Sequence, residues 1–485
     1  MTDRRHFLKT SLGASLGAGA MSFIGGTSIL GALGSAKAHA ANVEGYKALV
    51  CVFLFGGQDC HDTILPYDQA SYDGYAALRT GLMSRYAAQN GGSTRARDRL
   101  LPLNPTNASQ FSGRQFAMPE PLAPLKSLFD AGNVAILGNV GPLIHPLNAA
   151  QFEESVIAQP KRLFSHNDQQ STWMSSAPEG EILGWGGKFS DAALAAKANQ
   201  QETFTAISTS GNTVFLAGEN TTQYSISAGG PPPVDGLRNY ASELLGSASD
   251  SELAISLLEK HYASTTQSMQ NLYGRDLIAI NKRAAESNTI FSEALENAPT
   301  LQTVFPNTRI GQQLRDIANT INIKNALGVG RQVFFASLGG FDTHDNQVRN
   351  LSRKQNQYAQ AIAAFYQATA EMGAQNEVTL FTASDFGRSL AENGDGTDHG
   401  WGSHHFIVGG AVNGNKIYGD IPKYELGHAQ DAGSGRLIPQ TSVEQYAATL
   451  GKWFGLSNGE LNAALPALKN FTQKDLGFMN GPGIT

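Results

Sequence analysis

Five short apolar runs punctuate the chain: "YKALVCVFLF" (46–55), "NVAILGN" (133–139), "RQVFFASL" (331–338), "EVTLFTAS" (377–384) and "HFIVGGAV" (405–412). They are continuous rather than alternating, rich in β-branched and aromatic residues, and bounded by glycine. That pattern describes strands covered on both faces. Between the third and fourth runs, residues 351–373 place Tyr358, Ile362, Phe365, Thr369 and Met372 at three- and four-residue spacing, which predicts an amphipathic helix. Strand, helix and strand within about fifty residues make a βαβ unit and hence a parallel sheet. Residues 441–455 predict a closing helix, with Thr441 and Glu444 as a capping box and Gly455 as its stop. The expected fold is a three-layer α/β/α architecture around a mostly parallel sheet. Residues 68–130 and 190–325 carry fewer strand signals. "NGGSTRARDR" (90–99) reads as an exposed loop, 251–275 as helical and "AGGPPPVDG" (228–236) as turns. The stretch 190–325 is therefore expected to be an insertion or cap on the core, not a second catalytic unit.

The first forty residues stand apart from this pattern. Arg4 and Arg5 precede Phe7 and Leu8, a Gly/Ala-rich stretch follows, and Ala38 and Ala40 end it. This predicts a twin-arginine export signal cut after Ala40, and residues 41–485 as the folded domain. The expected location is periplasmic or extracellular, with the twin-arginine translocase as the partner in export. The stretch is too rich in glycine to favour a stable membrane anchor. The full chain has 485 residues and a net charge of −6. The leader carries four of the 35 basic and one of the 41 acidic residues, so the remainder stands at about −9 and offers no electrostatic footprint for nucleic acid. With 16% charged residues and 53 glycines, the composition is that of a compact, loop-rich protein. Its two cysteines, Cys51 and Cys60, are too few for a disulfide scaffold. Cys51 reads as strand core and Cys60 as a loop thiol.

In open parallel sheets ligands bind where loops leave the carboxyl ends of strands. In this chain Asp and His collect just past the predicted strands. "GGQDCHD" (56–62) follows the first and contains Asp59 and Asp62; "GGFDTHDN" (339–346) follows the third and contains Asp342, His344 and Asp345. "DFGR" (385–388) follows the fourth with Asp385 and Arg388, and "GTDHGWGSHH" (396–405) adds Asp398, His399, His404 and His405. "LFSHNDQQSTW" (163–173) contributes Ser165, His166 and Asp168. Carboxylates mixed with neutral imidazoles suit a divalent cation such as Zn²⁺, Mn²⁺, Mg²⁺ or Ca²⁺, and a pair of ions can clamp the oxygens of a phosphate or sulfate ester. Other roles stay open at this point. Asp59 also suits a turn or helix cap, Asp342 with His344 a capping pair, and Ser165-His166 a helix start. His404 and His405 are adjacent, so in a strand they point to opposite faces and at most one reaches the site. There is no G-x-S-x-G elbow, P-loop, H-E-x-x-H or dinucleotide fingerprint, which weighs against serine esterase, NTPase, zincin and NAD-dependent chemistry.

Taken together, "GGQDCHDTILPYD", "LFSHNDQQSTW", "GGFDTHDNQ", "SDFGR" and "GTDHGWGSHHFIVGG" resemble the hallmark segments of secreted bacterial "domain of unknown function 1501" proteins, over residues 46–456. That family is related to the alkaline phosphatase and sulfatase superfamily and is often exported by the twin-arginine route. The resemblance implies an alkaline-phosphatase-like core that hydrolyses phosphate or sulfate esters at divalent metal. It implies Asp342, His344 and His399 as one metal shell, and Asp59 and Asp385 as another. Ser165 would be the nucleophile, with Arg388 or His166 neutralising the developing oxyanion. Phe386 stands where the superfamily carries a second-site histidine. That departure leaves room for one metal only, for Asp62 or Asp345 as a substitute ligand, or for a non-catalytic binding or envelope-assembly protein.

Overall fold

The computed structural model describes residues 43–226 and 272–480, with a few positions between them. The expected twin-arginine leader, residues 228–236 expected as turns and most of the stretch 251–275 expected as helical lie outside the described residues. Among the described residues the central sheet has nine strands: β1 (Lys47–Phe55), β2 (Val134–Gly141), β3 (Ala206–Ser208), β4 (Tyr224–Ser225), β5 (Arg331–Gly339), β6 (Val378–Ser384), β7 (Ser403–Val408), β8 (Lys416–Gly419) and β9 (Thr441–Ser442). The order is β8-β2-β7-β6-β1-β5-β3-β4, with β9 also paired to β2. β1 is flanked in parallel by β5 and β6, with Leu49 opposite both Val333 and Thr379. β7 runs antiparallel, to β2 on one side and β6 on the other. All five apolar runs are strands of this sheet. The sheet also takes in β3 and β4, so parts of the 190–325 stretch extend the sheet edge.

Alternation along β1 builds the layers. Ala48, Val50, Val52 and Leu54 enter one apolar core with α3 (Arg309–Asn322) and α4 (Gln347–Glu371). Leu49, Cys51 and Phe53 enter the other with α1 (His166–Ser175), α2 (Trp185–Ala195) and α5 (Val443–Phe454). A period of two across a strand buried on both faces requires a helical layer on each side, and the three-layer α/β/α fold follows. Each buried Leu, Val or Phe in these layers contributes roughly 1.5–3 kcal/mol of hydrophobic stabilisation.

α4 occupies the predicted stretch, beginning four residues earlier. The cap of α5 sits one residue later than expected. Thr441 is paired in β9 against Val140, so the box forms between Ser442 and Gln445, each side chain reaching the other's backbone N–H. Gly455 ends the helix in the left-handed region at φ 117°. Both cysteines are buried free thiols. Burial, with Asp59 nearby, pushes the Cys60 thiol up to about 12, so it stays protonated. Among the described residues, no helix is long and apolar enough to cross a membrane.

Candidate metal centre

β1, β5 and β6 end side by side, and their loops meet above the same edge. Gly56 and Gly57 take φ of 116° and 87°. A Cβ on Gly56 would lie 2.3 Å from the Asp342 backbone nitrogen, and one on Gly57 2.4 Å from the Phe386 ring. Only glycine lets the β1 loop run this close to the β5 and β6 loops.

Asp59, just beyond, does not join the site. Its oxygens accept from Arg79 Nη1 at 2.7 Å, Arg79 Nη2 at 3.1 Å, Gln347 Nε2 at 2.6 Å and the backbone N–H of His61 and Asp62. Asp59 and Arg79 are both buried. The expected ligand is therefore the anionic half of an internal ion pair that pins the 59–62 turn. Asp62 is likewise closed off, paired with buried Arg95 at 2.6 Å and accepting from the Tyr75 and Tyr86 hydroxyls. His61 is buried against the Gly435 carbonyl.

The imidazoles of His166, His344 and His399 do converge, around the half-exposed carboxylate of Asp342. His399 Nε2 lies 2.8 Å from His344 Nε2 and 3.2 Å from Asp342 Oδ1, while His344 Nε2 is also 3.2 Å from Oδ1. His166 Nε2 is 3.4 Å from Oδ2. Ligand atoms of His166, Asp342 and His399 all lie within 4.8 Å of one another. The other ring nitrogens face outward onto oxygen. His166 Nδ1 meets Asp385 Oδ2 at 2.6 Å, His399 Nδ1 the Phe164 carbonyl at 2.8 Å, and His344 Nδ1 Asp398 Oδ1 at 3.4 Å. A carbonyl has no proton to give, so Nδ1 of His399 carries the hydrogen and Nε2 the lone pair. The same orientation of His166 and His344 turns Nε2 inward. Nε2 lone pairs facing one another and a carboxylate repel unless a proton or a cation lies between them, and outward Nδ1–H bonds to oxygen are how metal-ligating histidines are oriented. The donor set of His166, Asp342 and His399 suits one divalent cation, with His344 Nε2 beside that of His399.

Asp385 thus stands behind the cluster rather than in it. It is fully buried, its Oδ1 accepts from the Gly56 N–H at 3.1 Å, and its Oδ2 accepts from both His166 and Gln170. Its three partners account for a carboxylate that orients His166. His166 and Gln170 lie four apart on α1 and meet the same oxygen, a helical spacing legible in the sequence. Asp398, which orients His344, sits beside His399 in a loop hairpin where Arg388 pairs with His399. Phe386 is buried with its ring centroid 4.8 Å from that of His166 and 4.6 Å from that of His399. The Phe164 carbonyl that holds His399 belongs to a residue at φ 67°, a backbone region costly for an aromatic side chain. No residue pattern announces that contact.

Arg388 is buried and most of its N–H groups are committed: Nε to Thr397 Oγ1, Nη1 to the Gly56 carbonyl and Asp342 Oδ1, and Nη2 to the Thr397 carbonyl. It fixes Asp342, and of its five N–H donors one Nη2 hydrogen is left without a partner among the described residues. Ser165 is the N-cap of α1, and its Oγ donates to Asp168 Oδ2 at 2.9 Å and accepts from no helix N–H. His404 and His405 are buried away from the cluster, on the Asn139 N–H and Thr382 Oγ1, and burial lowers them to about 4 and about 3. Within the cluster, the bond to Asp385 raises the His166 pKa against the effect of burial, and burial lowers that of His399. Burial would raise Asp342, but the hydrogen bond and charge of Arg388, with His166 and His344, bring it below the usual carboxylate value.

The chain belongs to the family described as Protein of unknown function (DUF1501), whose model matches residues 219–464, half of its length. That match includes Asp342, His344, Asp385, Arg388 and His399. No curated protein matches. Among solved structures the chain is similar to the PsFucS1 sulfatase from Pseudoalteromonas sp., at 9% identity and TM-score 0.35 over 90% of this chain and 74% of that one. It is also similar to the C-terminal periplasmic domain of EcEptC from Escherichia coli, at 11% identity and TM-score 0.34 over 88% and 87%. An alkaline phosphatase PafA mutant aligns at 12% identity and TM-score 0.27 over 72% and 64%. Scores this low assign no residue and no activity.

Proposed function

We propose that this member of the family is an exported hydrolase of phosphate or sulfate esters that works with one divalent cation held by His166, His344, His399 and Asp342. The observation that carries the reading is the common orientation of three imidazoles, Nδ1 outward on oxygen and Nε2 inward around one carboxylate. A bound cation would supply Lewis-acid polarisation of a phosphoryl or sulfuryl oxygen. The protein's own groups divide the rest. Asp385, Asp398 and the Phe164 carbonyl hold the three imidazoles, and Arg388 holds Asp342. Ser165 precedes the ligand His166, and its hydroxyl already points its proton at the buried Asp168 carboxylate, a general-base geometry. In the proposed step the Ser165 Oγ–phosphorus or Oγ–sulfur bond forms as the bond to the leaving oxygen breaks; Asp168 receives the hydroxyl proton, the oxyanion leaves and takes a proton from water, and a further water cleaves the Ser165 ester, releasing phosphate or sulfate and restoring the hydroxyl. Export rests on the Arg4–Arg5 leader, and mass spectrometry of the periplasmic fraction should find Ala41 as the mature N-terminus.

A second reading draws on the Asp59–Arg79 pair and on Phe386, which leave a single cation position: a binding or envelope-assembly protein with no turnover. One experiment separates the two. Purified protein is analysed for bound metal and tested on aryl phosphate and aryl sulfate, alongside His399→Ala and Ser165→Ala. Stoichiometric metal with hydrolysis that both variants abolish supports the hydrolase. Stoichiometric metal without turnover supports the binding protein, and absence of metal overturns both. Turnover that survives Ser165→Ala removes Ser165 as nucleophile and leaves the metal centre standing.

A further inference from the structure

A second feature at the same sheet edge carries positive charge that no group among the described residues neutralises. A cavity of about 420 Å³ opens beside the end of β5, lined by Asn307, Arg309, Ser337, Gly339, Lys354 and Gln357 among others, with no carboxylate in its wall. The side chains of Arg309, at the first turn of α3, and Lys354, on α4, make no hydrogen bond or ion pair among the described residues. Lys354 is half-buried, and burial together with the neighbouring Arg353 lowers its pKa. A cation kept from water without an anionic partner is unfavourable unless a ligand supplies one. The first turns of α4 add Arg349 and Arg353, and the helix has no acidic residue before Glu371. The cavity wall thus carries two cations, Arg309 and Lys354, on a chain whose net charge is −6.

The cavity also lies next to the metal centre. The Lys354 chain crosses Gly340 so closely that a Cβ there would lie 2.8 Å from Cε and 3.0 Å from Nζ. Asp342 is two residues further on, at most about 7 Å along the backbone at ~3.3 Å per residue. We propose that this cavity is a subsite for a second sulfate or phosphate group on the substrate, so that the enzyme takes polyanionic esters rather than isolated ones. The identity of the reacting group rests on the hydrolase reading above. Binding of the second anion stands on the cavity alone.

The test uses the full metal-loaded chain and measures affinity for dextran sulfate and for polyphosphate by titration calorimetry, with neutral dextran as the blank. Many anions on one flexible chain remove any dependence on spacing, and the two polymers separate sulfate from phosphate. Arg309→Gln/Lys354→Gln should weaken at least one polymer tenfold or more. It should also flatten the salt dependence of that affinity by up to two charges, and leave bound metal and thermal midpoint unchanged. Lys474→Gln, an exposed lysine elsewhere, should leave the affinity unchanged. Equal affinity in the double variant and the parent, or an equal loss in Lys474→Gln, overturns the subsite. His399→Ala isolates the two ideas: if it loses metal but still binds the polymer through Arg309 and Lys354, the subsite holds whatever becomes of the hydrolase.

Discussion

Asp385 and Asp59 occupy equivalent places in the sequence pattern, each just past a parallel strand, yet their oxygens have different partners. Asp385 accepts from His166, Gln170 and the Gly56 N–H, while Asp59 accepts from a buried guanidinium. The difference predicts opposite behaviour on substitution. Asp385→Asn keeps the shape but loses an acceptor, so the His166 ring is no longer fixed. Zn²⁺ affinity in equilibrium dialysis should fall 10- to 100-fold, the usual effect of losing an orienting partner behind a ligand, whereas His166→Ala should fall further. Asp59→Ala leaves Arg79 buried and unpaired, a change that costs roughly 3–5 kcal/mol. Denaturant unfolding should record that loss while the refolded protein retains its metal. A stable Asp59→Ala protein that has lost its metal would return Asp59 to the ligand set. The two carboxylates were not separable in the sequence because Arg79 lies in a stretch without strand signals, where nothing marks it as the partner of Asp59.

At the scale of elements, the apolar runs were legible because strands buried on both faces leave no polar gaps, and α4 because its buried stripe recurs with helical period. The convergence of His166, Asp342, His344, Asp385, Arg388 and His399 was legible for a related reason: parallel strands bring their following loops to one edge. Strand direction was not legible, since β7 has the same apolar character as its parallel neighbours. β3 and β4, of three and two residues, are too short to leave a pattern. The cap of α5 moved by one residue because Thr441 had a strand to complete, and the shift leaves Glu444 inside the first turn, 4% exposed. A helix N-terminus favours a carboxylate, but burial outweighs it and raises Glu444 to about 7. The folded state therefore holds this proton more tightly than the unfolded chain, whose value is 4.5. The contribution to stability is complete below about pH 4.5 and is lost as pH rises to about 7, on the order of 3 kcal/mol at ~1.4 kcal/mol per unit. Thermal midpoints should decline across that window in the parent, and Glu444→Gln should remove this part of the decline. A parent and variant with parallel pH profiles would show that Glu444 is ionised in the fold.

Over the whole molecule, the proposed ligands come from three distant parts of the chain: His166 at the start of α1, Asp342 and His344 in the loop between β5 and α4, and His399 in the hairpin before β7. The β5–α4 loop and the hairpin are tied directly, the Thr397 N–H donating to the Thr343 carbonyl at 3.0 Å and the Gln347 N–H to the Asp395 carbonyl at 3.1 Å, with Arg388 bridging Asp342 and Thr397. The loop ahead of α1 meets the hairpin through the Phe164 carbonyl on His399 and through Arg436, whose guanidinium donates to the His399 carbonyl and lies over the Phe164 ring. A ligand that binds only the folded form stabilises it by RT ln(1 + [L]/Kd), about 2.7 kcal/mol at a hundredfold excess over Kd. Much of that gain should be local, because the sheet and its two apolar layers hold together without the site. Removing metal with a chelator should therefore lower the thermal midpoint modestly. It should raise hydrogen exchange strongly in residues 160–170, 340–346 and 396–400, and leave β1, β5 and β6 protected. Readdition of Zn²⁺ should restore protection in all three segments together, since one ion joins them, and His399→Ala should block recovery in all three. Recovery in only one or two segments would mean that the four side chains do not share a cation.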